Sequence, residues 1–564
     1  MKIVFSLLLN KFLIKCIQLN EIKNKFRKES YSSEIILIYT EIESVFNNNI
    51  IELDSDYIIT QISWVRRDNY KFNYIFGIFE GANEPLFKDP IPLAMIKDQE
   101  RINLVNYLDI NTPQSFKYIR YIPPNKNNSD ISPIKIYGYK TSEKSENINH
   151  KKNFQVTNLP LIFIYTENST EITEKRIDIN CHILIINNGI IETNETAKIK
   201  VKDESKAYLS PKYPYSITFS SAQKILGAKG KYKKWNLISN YFDRSLLRNA
   251  LALKISELME FDYTVRCMPV DLILNGNFKG NYYICDEIEI GENRININTI
   301  DNNYTNSHNN TGGYLLEVNA EAYIEKKFFK TDKGIMLKIH YPTEDSISDV
   351  QEKYIIDKLN IFENEVYNGN LNSIDINTYS KYFLIEEFCG DLTHIYNNFY
   401  FTKKRGDDKF YFGPIWDFDS TAFDNDKRLI PTNERPHFCF NYYSSSSSTI
   451  KNFINKLIEN KYVIEFIQKT WEDLCSTILN ETILLDFIEE KITYMKESIE
   501  LNFLKWDNFV EKYDPYGFNW GMRDYLFGRK GENFEMSVEV IRNYIRGRFS
   551  SLSNLIKNAV VLSK

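Results

Sequence analysis

The chain has no Cys-x-x-Cys, no His-Glu-x-x-His, no Gly-x-Ser-x-Gly and no Walker A loop. The first two absences argue against the common zinc sites. The third removes the serine-hydrolase elbow, and the fourth the P-loop cradle for phosphates. No block of basic residues marks a nucleic-acid groove, so no nucleic-acid partner is expected. The one local cluster, Lys229, Lys231, Lys233 and Lys234, reads as a solvated loop. Past the first twenty residues or so, no stretch is apolar over the length that spans a bilayer. Carboxylates are many, but no pair at interpretable spacing singles out a glycoside hydrolase. What remains is a chain of 564 residues, 43% hydrophobic, with a net charge of −5. That length exceeds one ordinary core and implies roughly two to four domains. Its 38 Tyr and 37 Phe imply a largely aromatic interior.

At the N-terminus Lys2 precedes the apolar run Ile3 to Leu9, the order of a secretory signal. Asn10, Lys11 and Lys15 interrupt the run, and no Ala-x-Ala site follows. The expectation is a short signal within residues 1–20, ending near Cys16 to Asn20. Seven cysteines lie at wide, irregular spacing: Cys16, Cys181, Cys267, Cys285, Cys389, Cys439 and Cys475. Loss of a signal would leave six, an even number that permits disulfides. Asn-x-Ser/Thr sequons at Asn127, Asn168, Asn194, Asn303, Asn309 and Asn480 fit a secreted, extracellular chain.

Residues 31–140 read as an all-β sandwich. Tyr57 to Val65, Phe72 to Glu80 and Phe116 to Ile122 are short, aromatic and β-branched. Thr141 to Lys152 lacks apolar periodicity, and a linker is expected at about 141–155. Asn158 to Thr166 opens a second β region that continues through Ile183 to Ile186 and on to Phe219. The period then changes. Asp243 is placed to cap a helix whose Leu247, Leu251, Ile255 and Leu258 form an apolar stripe. Arg248-Asn249 within it reads as a packing anchor. Asn275-Gly276 predicts a hairpin turn between Val270 to Leu274 and Phe278 to Cys285. Gly312 to Glu317 reads as a strand entry. Asp349 to Val366 and Ile376 to Phe388 are helical by pattern, and the second delivers Asp391. A loop with Ser444 to Ser448 follows. Ile450 to Asn502 and Val538 to Leu562 then read as a packed helical tail with no chemistry of its own.

The densest chemistry lies between Phe388 and Asp424. Asn398 to Lys403 and Lys409 to Gly413 form a β-hairpin pattern around Arg405-Gly406-Asp407-Asp408. A pivot at Asp407-Asp408 sets Asn398 opposite Asp417, on one face of the pair. An amide oxygen and a carboxylate then converge, with Asp391 entering just upstream. Such oxygen ligands suit Mg²⁺. A surface hairpin with solvated acidic ends is the competing reading.

Glu80-Gly81-Ala82-Asn83-Glu84-Pro85, then FKYIRY and IKIYGY, make residues 31–140 resemble discoidin-like (galactose-binding-like) modules. That resemblance implies a scaffold or a glycan partner. KYKKWNLISNYFDRSLLRNALALK, VDLILNGNFKGNYYI, GGYLLE, YFLIEEFCGD, NNFYF and GPIWDFD stand in the order of the CotH (spore coat protein H) kinase-like family. The chain resembles that family from about Leu159 to Ile556. The implied fold class is α+β: an atypical protein-kinase-like domain over 156–435, with a helical C-terminal part over 450–564, preceded by the all-β sandwich. The resemblance implies a kinase that uses ATP with Mg²⁺ or Mn²⁺ on secreted or surface proteins. It assigns Asp391 as the catalytic-loop base, and Asn398 and Asp417 as metal ligands. Lys212, in Pro-Lys-Tyr-Pro-Tyr, would pair with nucleotide phosphates. Asn397 competes with Asn398, because the Asp391–Asn398 spacing is longer than usual. Asp419 would help or cap a turn.

Two positions depart from the family. Lys200-Val201-Lys202-Asp203-Glu204-Ser205 stands where many members carry an Arg-Gly-Arg-Gly-Asn-Ser-like stretch, so both glycines are gone. Glycine admits close approach of backbone N–H to phosphate. Asp286 stands where Glu is usual. The departures favour a second class, a pseudokinase scaffold on an extracellular interaction protein.

Overall fold

The computed structural model describes residues 36–40, 50–66, 75–98, 104–124, 131–140, 152–202, 210–299, 309–320, 322–324, 327–391, 397–419, 422–424, 438–439, 449–506 and 533–563. The expected signal, most of the expected linker, the start of the strand at Phe72, the serine loop and Asp203-Glu204-Ser205 lie outside these. The chain divides into two compact units. The first comprises Met1–Ser169, His182–Asn194 and Asp271–Lys279; the second comprises Thr170–Cys181, Glu195–Val270 and Gly280–Lys564.

The first unit begins with β1 (Ile36–Thr40), β2 (Ile50–Arg66), β3 (Ile78–Ala82), β4 (Ile91–Met95), β5 (Val105–Asp109), β6 (Ser115–Ile122) and β7 (Ile131–Lys140). This region is all-β, as its alternation predicts. Pairing joins the strands in one antiparallel order, β1-β7-β2-β6-β3-β4 with β5 on β2. The cause is the length of β2, 17 residues. Its first half pairs β6, and its second half pairs β7 and β5. One core results, including Ile59, Ile62, Trp64, Phe79, Phe116 and Ile136.

The family-like motif residues serve this core. Glu80 and Arg120 face each other across β3 and β6, and the Arg120 Nε donates to Glu80 Oε2 at 2.8 Å. The Arg120 guanidinium lies 4.3 Å from the Phe87 ring and 5.0 Å from that of Tyr165. Burial pushes the Glu80 carboxyl up, and Arg120 pulls it only part of the way back. A Cβ on Gly81 would sit 2.6 Å from the Phe116 ring. The Asn83 amide donates to Ser115 O and accepts from Lys117 N–H, each at 3.2 Å.

Seven further strands follow: β8 (Leu161–Thr166), β9 (Ile179–Asn187), β10 (Ile190–Val201), β11 (Tyr215–Gln223), β12 (Tyr232–Ile238), β13 (Cys267–Leu274) and β14 (Asn277–Asp286). Their pairing closes as a barrel, β10-β11-β12-β14-β13-β8-β9. The first unit takes β8, which pairs β13 in parallel, and the tip of the β13–β14 hairpin. At that tip Asn275 and Gly276 have φ of 49° and 68°, the left-handed pair that the Asn-Gly turn predicts.

The second unit holds a sheet of β15 (Tyr314–Val318), β16 (Phe329–Lys330), β17 (Met336–Tyr341), β18 (Phe399–Lys403) and β19 (Phe410–Phe412), ordered β16-β17-β15-β18-β19. Its helices are α1 (Arg248–Leu258), α2 (Asp349–Tyr367), α3 (Ile376–Cys389), α4 (Thr449–Glu459), α5 (Lys461–Thr477), α6 (Glu481–Trp506) and α7 (Phe534–Leu562). Asp243 is not the N-cap of α1, which is Leu247, but it supports the helix start from farther back. Leu246 turns at φ 58°, so the helix starts at Arg248, whose N–H donates to Asp243 Oδ2 at 2.8 Å.

The Glu80–Arg120 pair generates a prediction. Arg120→Met leaves a carboxyl buried without its cation and should cost about 3–5 kcal/mol at neutral pH by denaturant unfolding. With its folded pKa raised, Glu80 contributes stability that is full below its unfolded pKa and lost as pH rises through the folded value. The Arg120→Met deficit, measured against Arg120→Met/Glu80→Gln, should therefore shrink as pH falls below neutral.

Candidate functional site

The β18–β19 hairpin presents the first candidate residues. Its register pairs Phe401 with Phe412, Thr402 with Tyr411 and Lys403 with Phe410. That is two residues away from the register read in the sequence, which keeps each side chain on its expected face. The turn sits at Arg405-Gly406, with Gly406 at φ 70°. Lys403 sets it there. Its buried ammonium donates to Thr311 O at 2.9 Å and Lys404 O at 3.1 Å, and also to Asp407 O.

Asn398 and Asp417 meet all the same. The Asn398 Nδ2 lies 3.3 Å from Asp417 Oδ2. Both residues have φ 66°, the left-handed region that Asn and Asp tolerate better than other side chains. Each turn is held by an oxygen from a distant element. The Asn398 N–H donates to Glu317 Oε1 on β15 at 3.1 Å. The N–H of Phe418, next to Asp417, donates to Asn249 Oδ1 on α1 at 2.7 Å. Glu317 Oε2 lies 2.6 Å from His340 Nε2. Burial pushes the Glu317 carboxyl up, but the bonds from His340 and the Asn398 N–H outweigh it and hold the group below its ordinary value. Beside Asn249, Arg248 reaches Asp243 at 3.1 Å and Asp424 at 3.6 Å. Asn397 points elsewhere: its Oδ1 accepts from Ala320 N–H at 3.1 Å. Asn398 is thus the member of the pair that faces Asp417.

Asp391 follows the C-cap of α3. Gly390 ends that helix at φ 69°, and a Cβ there would stand 2.3 Å from the Tyr544 hydroxyl. That hydroxyl donates to Phe388 O at 2.8 Å. Arg548 Nε donates to Glu387 O at 3.0 Å, and the guanidinium also reaches the Glu387 carboxylate at 3.3 Å. A cation at the carbonyl end of a helix is favourable. The Phe423 N–H donates to Cys389 O at 2.7 Å, tying the segment after Asp417 to the same helix end. The helical tail thus holds the end of α3, next to the buried residue Asp391.

Lys212 is placed differently from its expected role. It is 2% exposed, and its ammonium donates to Ser239 O at 2.8 Å, to Asn502 Oδ1 at 2.9 Å and to Asn281 O. The same charge lies 4.7 Å from the Tyr282 ring centre. An ammonium has three hydrogens, and here three protein oxygens receive them. Lys202 lies near the Asp417 turn, its Nζ 5.7 Å from the ring of Trp416. Asp286 accepts from the Tyr263 hydroxyl at 2.9 Å and sits 3.5 Å from Arg294. Asp419 is buried just past the turn.

Among the described residues, no three His, Cys, Asp or Glu side chains gather at one point. The pair offers the Asp417 carboxylate, toward which Asn398 turns its Nδ2; a half-turn of that amide would offer Oδ1 as a second oxygen. Such a set fits Mg²⁺ or Mn²⁺, which complete their shells with water and phosphate, and does not fit a closed zinc site.

The family model described as "CotH kinase protein" matches residues 199–552. No curated protein matches the chain. Among solved structures, CBM62 from Clostridium thermocellum Xyl5A is similar at 23% identity and a TM-score of 0.15; the match covers 19% of this chain and 95% of that one.

The Lys212 geometry generates a prediction. Lys212→Met strands several buried acceptors and should lower unfolding stability by on the order of 2–4 kcal/mol. A phosphate-binding lysine would instead leave stability nearly unchanged and raise only the KM for nucleotide. Denaturant unfolding of the variant separates the two.

Proposed function

The chain belongs to the CotH kinase family, and we propose that it is a secreted atypical protein kinase. In this reading it moves the γ-phosphoryl group of ATP to a Ser or Thr hydroxyl of a protein, with Mg²⁺ or Mn²⁺ bound. The observation that carries the reading is the 3.3 Å approach of Asn398 to Asp417. Both hold left-handed backbone, a conformation that clusters where structure is kept for function.

The substrate hydroxyl oxygen bonds to the γ-phosphorus as the bond from that phosphorus to the ADP oxygen breaks. The hydroxyl proton passes to the Asp391 carboxylate. Asn398 and Asp417 would hold the ion, whose charge would offset that of the phosphates. Glu317 and Asn249 act as positioning residues, through the backbone of Asn398 and Phe418.

Secretion is supported by the Cys267–Cys285 disulfide, since such bonds persist in oxidising compartments. The sequon residues Asn168, Asn194 and Asn480 are exposed, as glycosylation requires. A glycan partner for the N-terminal β region rests on the discoidin-like resemblance; Glu80 and Gly81 of its motif are buried, and Asn83 is exposed. One observation favours the pseudokinase scaffold: the Lys212 ammonium is engaged by protein oxygens.

Phosphotransfer to a Ser/Thr-containing protein, read by mass spectrometry, tests the proposal. Asp391→Asn should slow transfer by about 10²–10⁴-fold while sparing nucleotide binding. Asp417→Asn should abolish it by removing a metal ligand. Equal transfer by the parent chain and Asp391→Asn, or none by the parent with either metal, would contradict it.

A further inference from the structure

A second cleft of about 740 Å³ lies away from the Asn398–Asp417 pair. One wall is the face of α1 that bears Ala250, Leu253 and Lys254; another is the segment from Thr264 to Pro269, at the Cys267–Cys285 disulfide. The β11–β12 hairpin reaches its rim through Lys229, Gly230 and Tyr232. The lysine cluster is solvated, as its composition predicts, and it spans the loop and the strand that follows. Lys231 lies just before β12, and Lys233 and Lys234 lie in it.

Charge at the cleft is unevenly compensated. Asp286 is engaged by Tyr263 and Arg294. Glu257 pairs with Lys254 at 3.0 Å, and Asp262 with Lys404 at 3.3 Å. Glu292 lines the cleft exposed. Glu289, which feels Lys234, is itself bonded to Arg294 at 2.6 Å. On the β11–β12 hairpin, Lys224, Lys229, Lys231, Lys233 and Lys234 are all exposed; Lys229 lines the cleft, and the other four extend the charge along the hairpin beside it. Among the described residues, none has a carboxylate within ion-pair distance. So many cations on one hairpin repel one another until an anion arrives. A local arrangement unfavourable to the fold is where function is expected.

We propose that this hairpin and cleft bind an acidic polypeptide segment, and that the segment belongs to the phosphoacceptor protein. The lysines supply the charge, and the apolar wall of α1 takes side chains between the acidic ones. A nucleic acid fits less well, because Glu257 and Glu292 would face its phosphates. The cleft reaches the chemistry through α1, where Asn249 holds the Phe418 N–H and the next residue, Ala250, lines the cleft. Phe261, also in the lining, lies beside Gly413, four residues before Asp417. Docking needs no kinase activity; the identity of the segment's owner rests on the kinase reading.

The test is fluorescence anisotropy of a labelled Asp/Glu-rich peptide against the full chain. The peptide should bind, more weakly as salt rises, and a Gln/Asn-rich peptide of the same length should not. Lys229→Glu/Lys231→Glu/Lys233→Glu, at exposed positions, should weaken binding by about tenfold or more with an unchanged melting temperature. Asp391→Asn should bind as the parent does. Equal affinity of the triple variant overturns the proposal, as does a single-stranded oligonucleotide that competes as well as the acidic peptide. Peptide binding by a chain inactive in phosphotransfer keeps the docking site and removes only its assignment to a phosphoacceptor.

Discussion

Two backbone amides organise the candidate centre. Those of Asn398 and Phe418 are held by side-chain oxygens of Glu317 and Asn249, on a strand and a helix far away in the chain. Without these acceptors the left-handed turns at Asn398 and Asp417 would lack support, and the two side chains would not be brought within reach of one ion. Both acceptors are buried or partly buried, so each bond is worth more than it would be in water. The β15 sheet and α1 then become parts of the site without contributing a reacting group.

The same logic extends to Asp391. Its position depends on Gly390, whose missing side chain makes room for Tyr544, and on Arg548, which caps the carbonyl end of α3 from α7. A helix near the C-terminus therefore sets a residue well over a hundred positions upstream. Lys212 plays a comparable part, joining the barrel to α6 through Asn502. The charge that looked like a ligand for phosphate is a fastener of the fold.

Much of this was legible in the sequence, and what was missed has a physical pattern. Alternating aromatics gave the strands, Asn275-Gly276 gave its turn, and the hairpin pattern brought Asn398 and Asp417 together. The hairpin register was misplaced by two because the buried Lys403, which pins the loop, is chemically silent in a turn pattern. Glu317 and Asn249 escaped because their partners are backbone N–H groups, which leave no residue-type signal; GGYLLE and the Arg248-Asn249 pair were the traces available. Arg548 had a signal: it sits on the buried stripe of Ile541, Tyr544, Ile545 and Leu552, where an unpartnered charge would be untenable. The acceptors around the Lys212 ammonium were not legible, because a motif match carries a residue type and not the groups folded around it.

The central claim is that the paired turns at Asn398 and Asp417 hold a metal–nucleotide complex. Calorimetric titration of the intact chain with a non-hydrolysable ATP analogue tests it most directly. The account predicts saturable binding to a single site that requires Mg²⁺ or Mn²⁺ and disappears on chelation. No binding with either metal, by folded protein, would contradict it.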